Sequence, residues 1–157
     1  MRTRAKLIIP LAAGVMSGFA YAQVPAFEDC PAPVEEKRTI PRVKFADAQG
    51  RQFRTVIRNA AKGSVNFAGH YILATWGCGA GCVMAAAIDV KSGLATSLPF
   101  TVSGWPLDVT EPLSFRQDSC LLVVQGSRNE SIEHGTYYYM FDGKTFTLRA
   151  TEHASQP

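Results

Sequence analysis

The stretch TYYYMFDGKTFTLRA, residues 136–150, contains the clearest indication of the fold. Its two halves, Thr136 to Phe141 and Thr145 to Ala150, are rich in aromatic and β-branched residues, which favour β-strands. Asp142-Gly143-Lys144 lies between them, and an Asp-Gly turn that joins two such runs is typical of an antiparallel hairpin. The sequence therefore predicts a β-hairpin in this region.

Similar signals continue upstream. Lys91-Ser92-Gly93 and Gln117-Asp118-Ser119 are turn sequences, and each separates two runs of apolar or β-branched residues. Two further hairpins are therefore expected. The strands predicted upstream are Arg42 to Phe45, Phe67 to Trp76, Val83 to Val90, Leu94 to Leu98, Leu113 to Arg116 and Cys120 to Gln125.

One helix is expected before the hairpins, over Asp47 to Lys62. Apolar residues recur there with helical spacing and form one stripe, while Asp47 is a favourable N-cap and Gly63 a favourable stop. The stripe consists of Phe53, Val56, Ile57, Ala60 and Ala61. The predicted fold class is α+β, with one N-terminal helix packed on a twisted antiparallel sheet of hairpins that has about six or seven strands.

The first 22 residues have the order of a secretory signal. Three basic residues precede an uncharged stretch from Leu7 to Ala20, and Ala20-Tyr21-Ala22 is a small-x-small cleavage pattern. The uncharged stretch is shorter than the roughly 20 apolar residues of a stable membrane span. We therefore expect residues 1–22 to be a cleaved signal peptide. The protein would be periplasmic or secreted, with no stable membrane span after cleavage.

The remaining chain has the size of one domain. Residues 23–33 form a Pro-rich N-terminal arm, and residues 34–157 are predicted to form a single α+β domain. The tail from Glu152 to Pro157 is expected to be frayed, as chain ends often are.

Charge gives no support for a nucleic-acid partner. The full sequence has 16 Lys+Arg and 13 Asp+Glu. Loss of Arg2, Arg4 and Lys6 with the signal leaves 13 of each sign, a net charge of zero. Nucleic-acid binding relies on an excess of basic residues, so we expect no nucleic-acid partner.

All four cysteines, Cys30, Cys78, Cys82 and Cys120, follow the predicted signal. An even number in an oxidising compartment predicts two disulfides. The glycines between Cys78 and Cys82 allow a tight turn, which favours the pairs Cys78–Cys82 and Cys30–Cys120. The pairing 78–120 with 30–82 is the main alternative. The spacing fits neither a redox pair nor a zinc site, so no metal or other cofactor is expected.

One segment resembles known proteins. Asn66-Phe-Ala-Gly-His-Tyr71, followed by Trp76-Gly-Cys-Gly-Ala-Gly-Cys82 and Ile88-Asp-Val-Lys-Ser-Gly93, is similar to segments of small exported bacterial proteins of unassigned function. The resemblance covers about thirty residues. It implies a shared fold and an exported setting, and it assigns no catalytic residue.

Three residues could serve acid–base chemistry. His70 follows Gly69, while Glu133 and His134 lie in the polar loop 127–135. Carboxylate and imidazole groups that converge can exchange protons with a substrate. The chain has no G-x-S-x-G nucleophile frame. A small periplasmic hydrolase or metal-dependent enzyme using His70, Glu133 and His134 is therefore the alternative hypothesis.

The leading hypothesis is an exported binding or interaction module, a class that includes inhibitor- and immunity-like proteins. Its partner would be an unknown protein or a small ligand in the envelope. Trp105 and the tyrosines at 137–139 add aromatic residues, and strand alternation places Tyr137 and Tyr139 on one face. The candidate binding residues are Trp76, Gly77, Gly79, Arg128 and Tyr137.

Overall fold

The computed structural model describes residues 24–35 and 42–153. Within them lie nine strands, two short α-helices and one 3₁₀ turn at Phe27–Asp29. The helices are α1 (Ala48–Gln52) and α2 (Arg54–Ala60). The strands are β1 (Lys44–Phe45), β2 (Tyr71–Gly79), β3 (Cys82–Asp89), β4 (Leu94–Ser97), β5 (Val102–Ser103), β6 (Leu113–Phe115), β7 (Leu121–Arg128), β8 (His134–Phe141) and β9 (Phe146–His153).

Strand pairing divides the sheet into two parts that β5 connects. In the first part, β3 pairs with β2 and β4, and β4 pairs with β1. In the second part, β7 pairs with β6 and β8, and β8 pairs with β9. The two residues of β5 pair with β3 on one side and with β7 on the other. The end of β7 is therefore held beside the disulfide-bonded turn between β2 and β3.

The predicted fold class was wrong in two respects. The sheet has nine strands and is mixed, because β1 pairs with β4 in parallel, whereas about six or seven antiparallel strands were expected. The single N-terminal helix is replaced by two short ones, of 5 and 7 residues, and the protein is mostly β. The predicted hairpins are present, with shifted ends: β2 begins at Tyr71 rather than at Phe67, and β7 continues to Arg128.

The helix is interrupted at Phe53. Its backbone, with φ −96° and ψ 23°, ends α1 and begins α2. Its ring packs against Trp76 on β2, with 5.3 Å between ring centroids. Aromatic contact with the sheet therefore accompanies a departure from helical geometry at this position. The predicted N-cap is confirmed, since the side chain of Asp47 accepts a hydrogen bond from the amide of Gly50 at 2.6 Å.

The β2–β3 hairpin is buried on both faces. Tyr71 and Leu73 face the main core, which lies between the two parts of the sheet. Ile72 and Ala74 face a second apolar cluster, which includes Ile57 of α2. Burial on both faces explains why β3 is almost entirely apolar, without the alternation of a half-exposed strand.

Two disulfides hold the structure together, and they are the predicted pairs. Cys30 is bonded to Cys120, and Cys78 is bonded to Cys82. The alternative pairing is therefore excluded. Such bonds form in oxidising compartments, so they indicate a non-cytoplasmic setting. The predicted signal peptide, residues 1–22, lies outside the described residues, and the part of the chain that is described has no helix long and apolar enough to cross a membrane.

The N-terminal arm is attached to the sheet by more than its disulfide. Pro31 forms an isolated β-bridge with Ser119, and the amide of Glu35 donates to the carbonyl of Gly69 at 3.1 Å. Gly69 has φ +79°, and a Cβ built on it would overlap the carbonyl of Pro33. The arm therefore requires glycine at this position.

Candidate functional site

His70 belongs to a charged cluster at one end of the β2–β3 hairpin. Its Nε2 lies 3.7 Å from a carboxylate oxygen of Asp89, and its Nδ1 lies 3.9 Å from Glu35 of the arm. Lys91 forms a closer ion pair with the same Glu35, at 2.5 Å. The cluster connects the arm to the sheet, and its groups already have partners.

His134 lies at the other end of this hairpin. Asp89, beside His70, is at the C-terminal end of β3, whereas Cys82 at its N-terminal end is connected through β5 and β7 to His134. Asp89 and Cys82 are seven positions apart on an extended strand, which corresponds to about 23 Å. The structure therefore does not bring His70 together with Glu133 and His134, and the catalytic alternative has no common centre.

The five predicted binding residues fall into two groups. Trp76 packs against Phe53 as part of the helix–sheet cluster, and within the described residues its buried Nε1 has no hydrogen-bond partner. Gly77 and Gly79 lie in the exposed end of β2, next to the Cys78–Cys82 bond. Arg128, at the end of β7, and Tyr137, on β8, form the second group and are in contact with each other. The guanidinium carbon of Arg128 lies 3.8 Å from the centre of the Tyr137 ring.

A cleft opens at the end of the sheet where β7, β8 and β9 meet the segment that follows β5. Its volume is about 530 Å³, within the range of about 300–1,000 Å³ typical of small-molecule sites. We call it the Trp105 cleft. It is lined by Gly104, Trp105, Pro106, Leu107, Gln125, Gly126, His134, Gly135, Thr136, Glu152 and His153.

Gly104 and His134 form one wall of the Trp105 cleft. The ring Nδ1 of His134 lies 3.0 Å from the carbonyl oxygen of Gly104, which can only accept, so Nδ1 carries the proton in this contact. Gly104 has φ +56°, and a Cβ on it would lie 2.7 Å from Cε1 of His134. Glycine at 104 thus lets the segment before Trp105 approach the histidine ring closely.

The polar groups of the cleft come from β7, β8 and β9. Gln125 is paired with Thr136, and Thr136 with Glu152, so the three residues cross the sheet in a row. Glu152 accepts a hydrogen bond from the hydroxyl of Tyr138 at 2.5 Å. Burial, together with this hydrogen bond, raises the pKa of Tyr138 to about 12. The Glu152 carboxylate is therefore held in place beside the cleft.

Part of the cleft is apolar. Leu107, one of its lining residues, is fully exposed. Trp105 is half-buried, with part of it against the main core. An aromatic residue supported by the core and flanked by an exposed aliphatic side chain gives an apolar surface for a ligand.

The sequence indicated only part of this site. Trp105 was expected as an aromatic contact residue, and His134 was singled out for another role. Glu152 was assigned to a frayed tail, but β9 continues to His153, so that assignment was wrong. The last three residues of β9, Thr151 to His153, gave little signal because they are polar or charged and extend the strand past the predicted end at Ala150.

No family model, curated protein or solved structure matches the chain. The resemblance of the segment from Asn66 to Gly93 to small exported bacterial proteins therefore stays a prediction. The candidate function rests on the geometry of the sheet end.

Proposed function

We propose that the protein is an exported binding module whose ligand occupies the Trp105 cleft. One observation carries the proposal: a cleft of about 530 Å³ with an aromatic residue and several polar side chains converging on it. This combination of apolar surface and few polar groups is typical of ligand sites. The two disulfides and the predicted signal at residues 1–22 support a periplasmic or secreted location.

The lining defines the ligand class. Trp105 and Leu107 offer apolar contact, so the ligand has an apolar or aromatic portion. Glu152 supplies a carboxylate, and Gln125 supplies an amide that both donates and accepts. A neutral or cationic small molecule with hydrogen-bond donors fits these groups, and so does one side chain of a protein partner in the envelope.

Fluorescence gives a direct test, because the chain has two tryptophans. Trp76→Phe leaves Trp105 as the single indole, and Phe still packs against Phe53. We expect benzamidine, a cationic aromatic probe, to change the emission of Trp105 with a dissociation constant of about 1–10 mM, as for other fragment-sized ligands. Benzyl alcohol, the neutral aromatic probe, should bind more weakly because it carries no charge to pair with Glu152.

Matched variants locate the effect. Leu107→Ala and Glu152→Gln should each weaken benzamidine binding at least threefold, whereas Leu148→Ala, an exposed aliphatic residue of β9 outside the cleft, should leave it unchanged. Equal affinity for benzamidine in the Glu152→Gln and parent proteins would count against the proposed site, as would no emission change up to about 50 mM.

A further inference from the structure

Arg128 lies at the end of β7, on the face of the strand that also carries Leu122 and Val124. Its guanidinium stacks on the ring of Tyr137 and donates one hydrogen bond to the hydroxyl of Tyr139 at 2.7 Å. No carboxylate of the described residues forms an ion pair with it. A half-buried arginine without a counter-ion is unusual, because partly desolvated charges are normally paired.

The two tyrosines fix the orientation of this guanidinium. Tyr137 is 1% exposed and Tyr139 is 4% exposed, so both rings are held by the core. Tyr137 covers one face of the planar group, and Tyr139 takes one of its five N–H donors. The remaining donors keep a fixed fork, and such a fork matches the two oxygens of a carboxylate.

A depression of about 220 Å³ lies next to Arg128. Asn129 and Ser131 line it together with Pro99 and Phe100. The amide oxygen of Asn129 accepts from the amide of Thr101 at 3.1 Å, which leaves the NH₂ group as the free end of that side chain. The hydroxyl of Ser131 accepts from the amide of Glu133, so its proton is available to a ligand.

We propose that this depression, which we call the Arg128 site, binds a carboxylate attached to an apolar group. Arg128, Asn129 and Ser131 present hydrogen-bond donors, which suit an anionic oxygen. Phe100 and Pro99 provide the apolar wall. Glu130 and Glu133 are exposed on the same loop, and their charges disfavour a dianion such as phosphate relative to a monoanion.

The Arg128 site is separate from the Trp105 cleft. The two sets of lining residues have no member in common. His134 belongs to one and Arg128 to the other, and the loop between β7 and β8 connects them. The carboxylate of a small molecule and the C-terminal carboxylate of a peptide have the same chemistry, so one probe can test whether the site binds a carboxylate. A comparison of two ligands then distinguishes a small acid from a peptide terminus.

The test is a titration of the ¹⁵N-labelled protein with sodium benzoate at constant ionic strength. Amide shifts at Arg128, Asn129 and Ser131 are expected, with a dissociation constant of about 1–10 mM. Benzamide has the same shape without the charge and should bind at least tenfold more weakly. Inorganic phosphate should also bind more weakly than benzoate. Benzamide or phosphate binding as tightly as benzoate would overturn the proposal.

Variants separate a binding role from a structural one. Arg128→Gln should lose benzoate binding at least tenfold, and Arg149→Gln, which removes an exposed arginine of β9, should not change it. Tyr139→Phe keeps the ring but frees the guanidinium, and should weaken binding about threefold. If Arg128→Gln does not fold, the amide shifts of the wild-type protein provide the test. Benzoate-induced shifts confined to the Trp105 cleft would refute the Arg128 site.

Two further comparisons complete the experiment. Trp105→Ala should leave benzoate affinity unchanged, because Trp105 does not line the Arg128 site. The proposals for the Trp105 cleft and for the Arg128 site can therefore be refuted separately. An acetylated dipeptide ending in phenylalanine should bind more tightly than benzoate if the natural source is a peptide terminus, and less tightly if it is a small acid. Absence of binding by both ligands would refute the Arg128 site.

Discussion

Asp47 binds Ser97 across 50 residues of sequence. One carboxylate oxygen accepts the backbone amide of Ser97 at 3.0 Å, and the other accepts its hydroxyl at 2.8 Å. The same side chain caps α1 through the amide of Gly50. One carboxylate therefore begins the first helix and fixes that helix to the end of β4.

The first prediction concerns this carboxylate and acid. Burial alone would raise the pKa of Asp47, but hydrogen bonds from Gly50 and Ser97 outweigh it and lower the pKa below its ordinary value. A lowered folded-state pKa means that the stabilisation is complete above about pH 4 and is lost as the pH falls through the folded-state value. Asp47→Ala should lower the free energy of unfolding by about 2–3 kcal/mol at pH 7, since a cap and a charged hydrogen bond are both lost.

Urea unfolding at pH 7 and at pH 3 measures this effect. The difference in the free energy of unfolding between wild type and Asp47→Ala should be smaller at pH 3 than at pH 7. Asp108→Ala is the matched control, because Asp108 lies in an exposed loop and should leave stability nearly unchanged at both values. If Asp47→Ala lowered the free energy of unfolding equally at pH 7 and pH 3, the stabilisation would not depend on the charged carboxylate.

The second prediction ranks the disulfides. Cys30 and Cys120 are 90 residues apart, whereas Cys78 and Cys82 are 4 apart. In the chain-entropy account, a crosslink stabilises by restricting the unfolded chain, and the effect grows with loop length. Replacing the first pair with alanine should cost about 4–5 kcal/mol, and replacing the second pair about 2 kcal/mol. Thermal unfolding of the two double variants gives the order, and the reverse order would refute the ranking.

The third prediction concerns the attachment of the arm. Gly69→Ala introduces a Cβ against the carbonyl of Pro33 at a residue with positive φ. It should destabilise the protein by about 2–4 kcal/mol, because a left-handed alanine costs about 1–2 kcal/mol before the overlap is relieved. Limited proteolysis should cut the arm faster in this variant. Gly77→Ala, whose Cβ would have its nearest neighbour at 3.8 Å, is the control and should behave like wild type.

Local sequence signals correctly predicted the parts of the fold that depend on residues close together in the chain. The Asp142-Gly143 turn, the cap at Asp47 and the disulfide turn between Cys78 and Cys82 each depend on residues a few positions apart, and all three are present. The parallel pairing of β1 with β4 joins segments about 50 residues apart, and no local pattern specifies such a partner.

The candidate site was harder to predict for the same reason. β5 has two residues, too few for an alternating pattern, yet it places Trp105 beside the end of β7. Trp76 and Trp105 are both aromatic residues that lie next to a glycine in the sequence. The sequence did not show that the helices would cover the first and leave the second at a cleft.

The last prediction concerns Tyr138 and Glu152 at the edge of the Trp105 cleft. Burial, and then the hydrogen bond and the charge of Glu152, raise the pKa of Tyr138 to about 12. A raised folded-state pKa means that this stabilisation is present below about pH 10 and is lost as the pH rises towards 12. Glu152→Gln should bring the pKa of Tyr138 closer to 10, because the neighbouring negative charge is removed. The ¹³Cζ shift of labelled tyrosine followed against pH measures the change at that residue. Glu130 is an exposed loop carboxylate that does not accept a hydrogen bond from Tyr138, so Glu130→Gln should leave the pKa of Tyr138 near 12. A fall of equal size in both variants would show that net charge is responsible instead of the hydrogen bond.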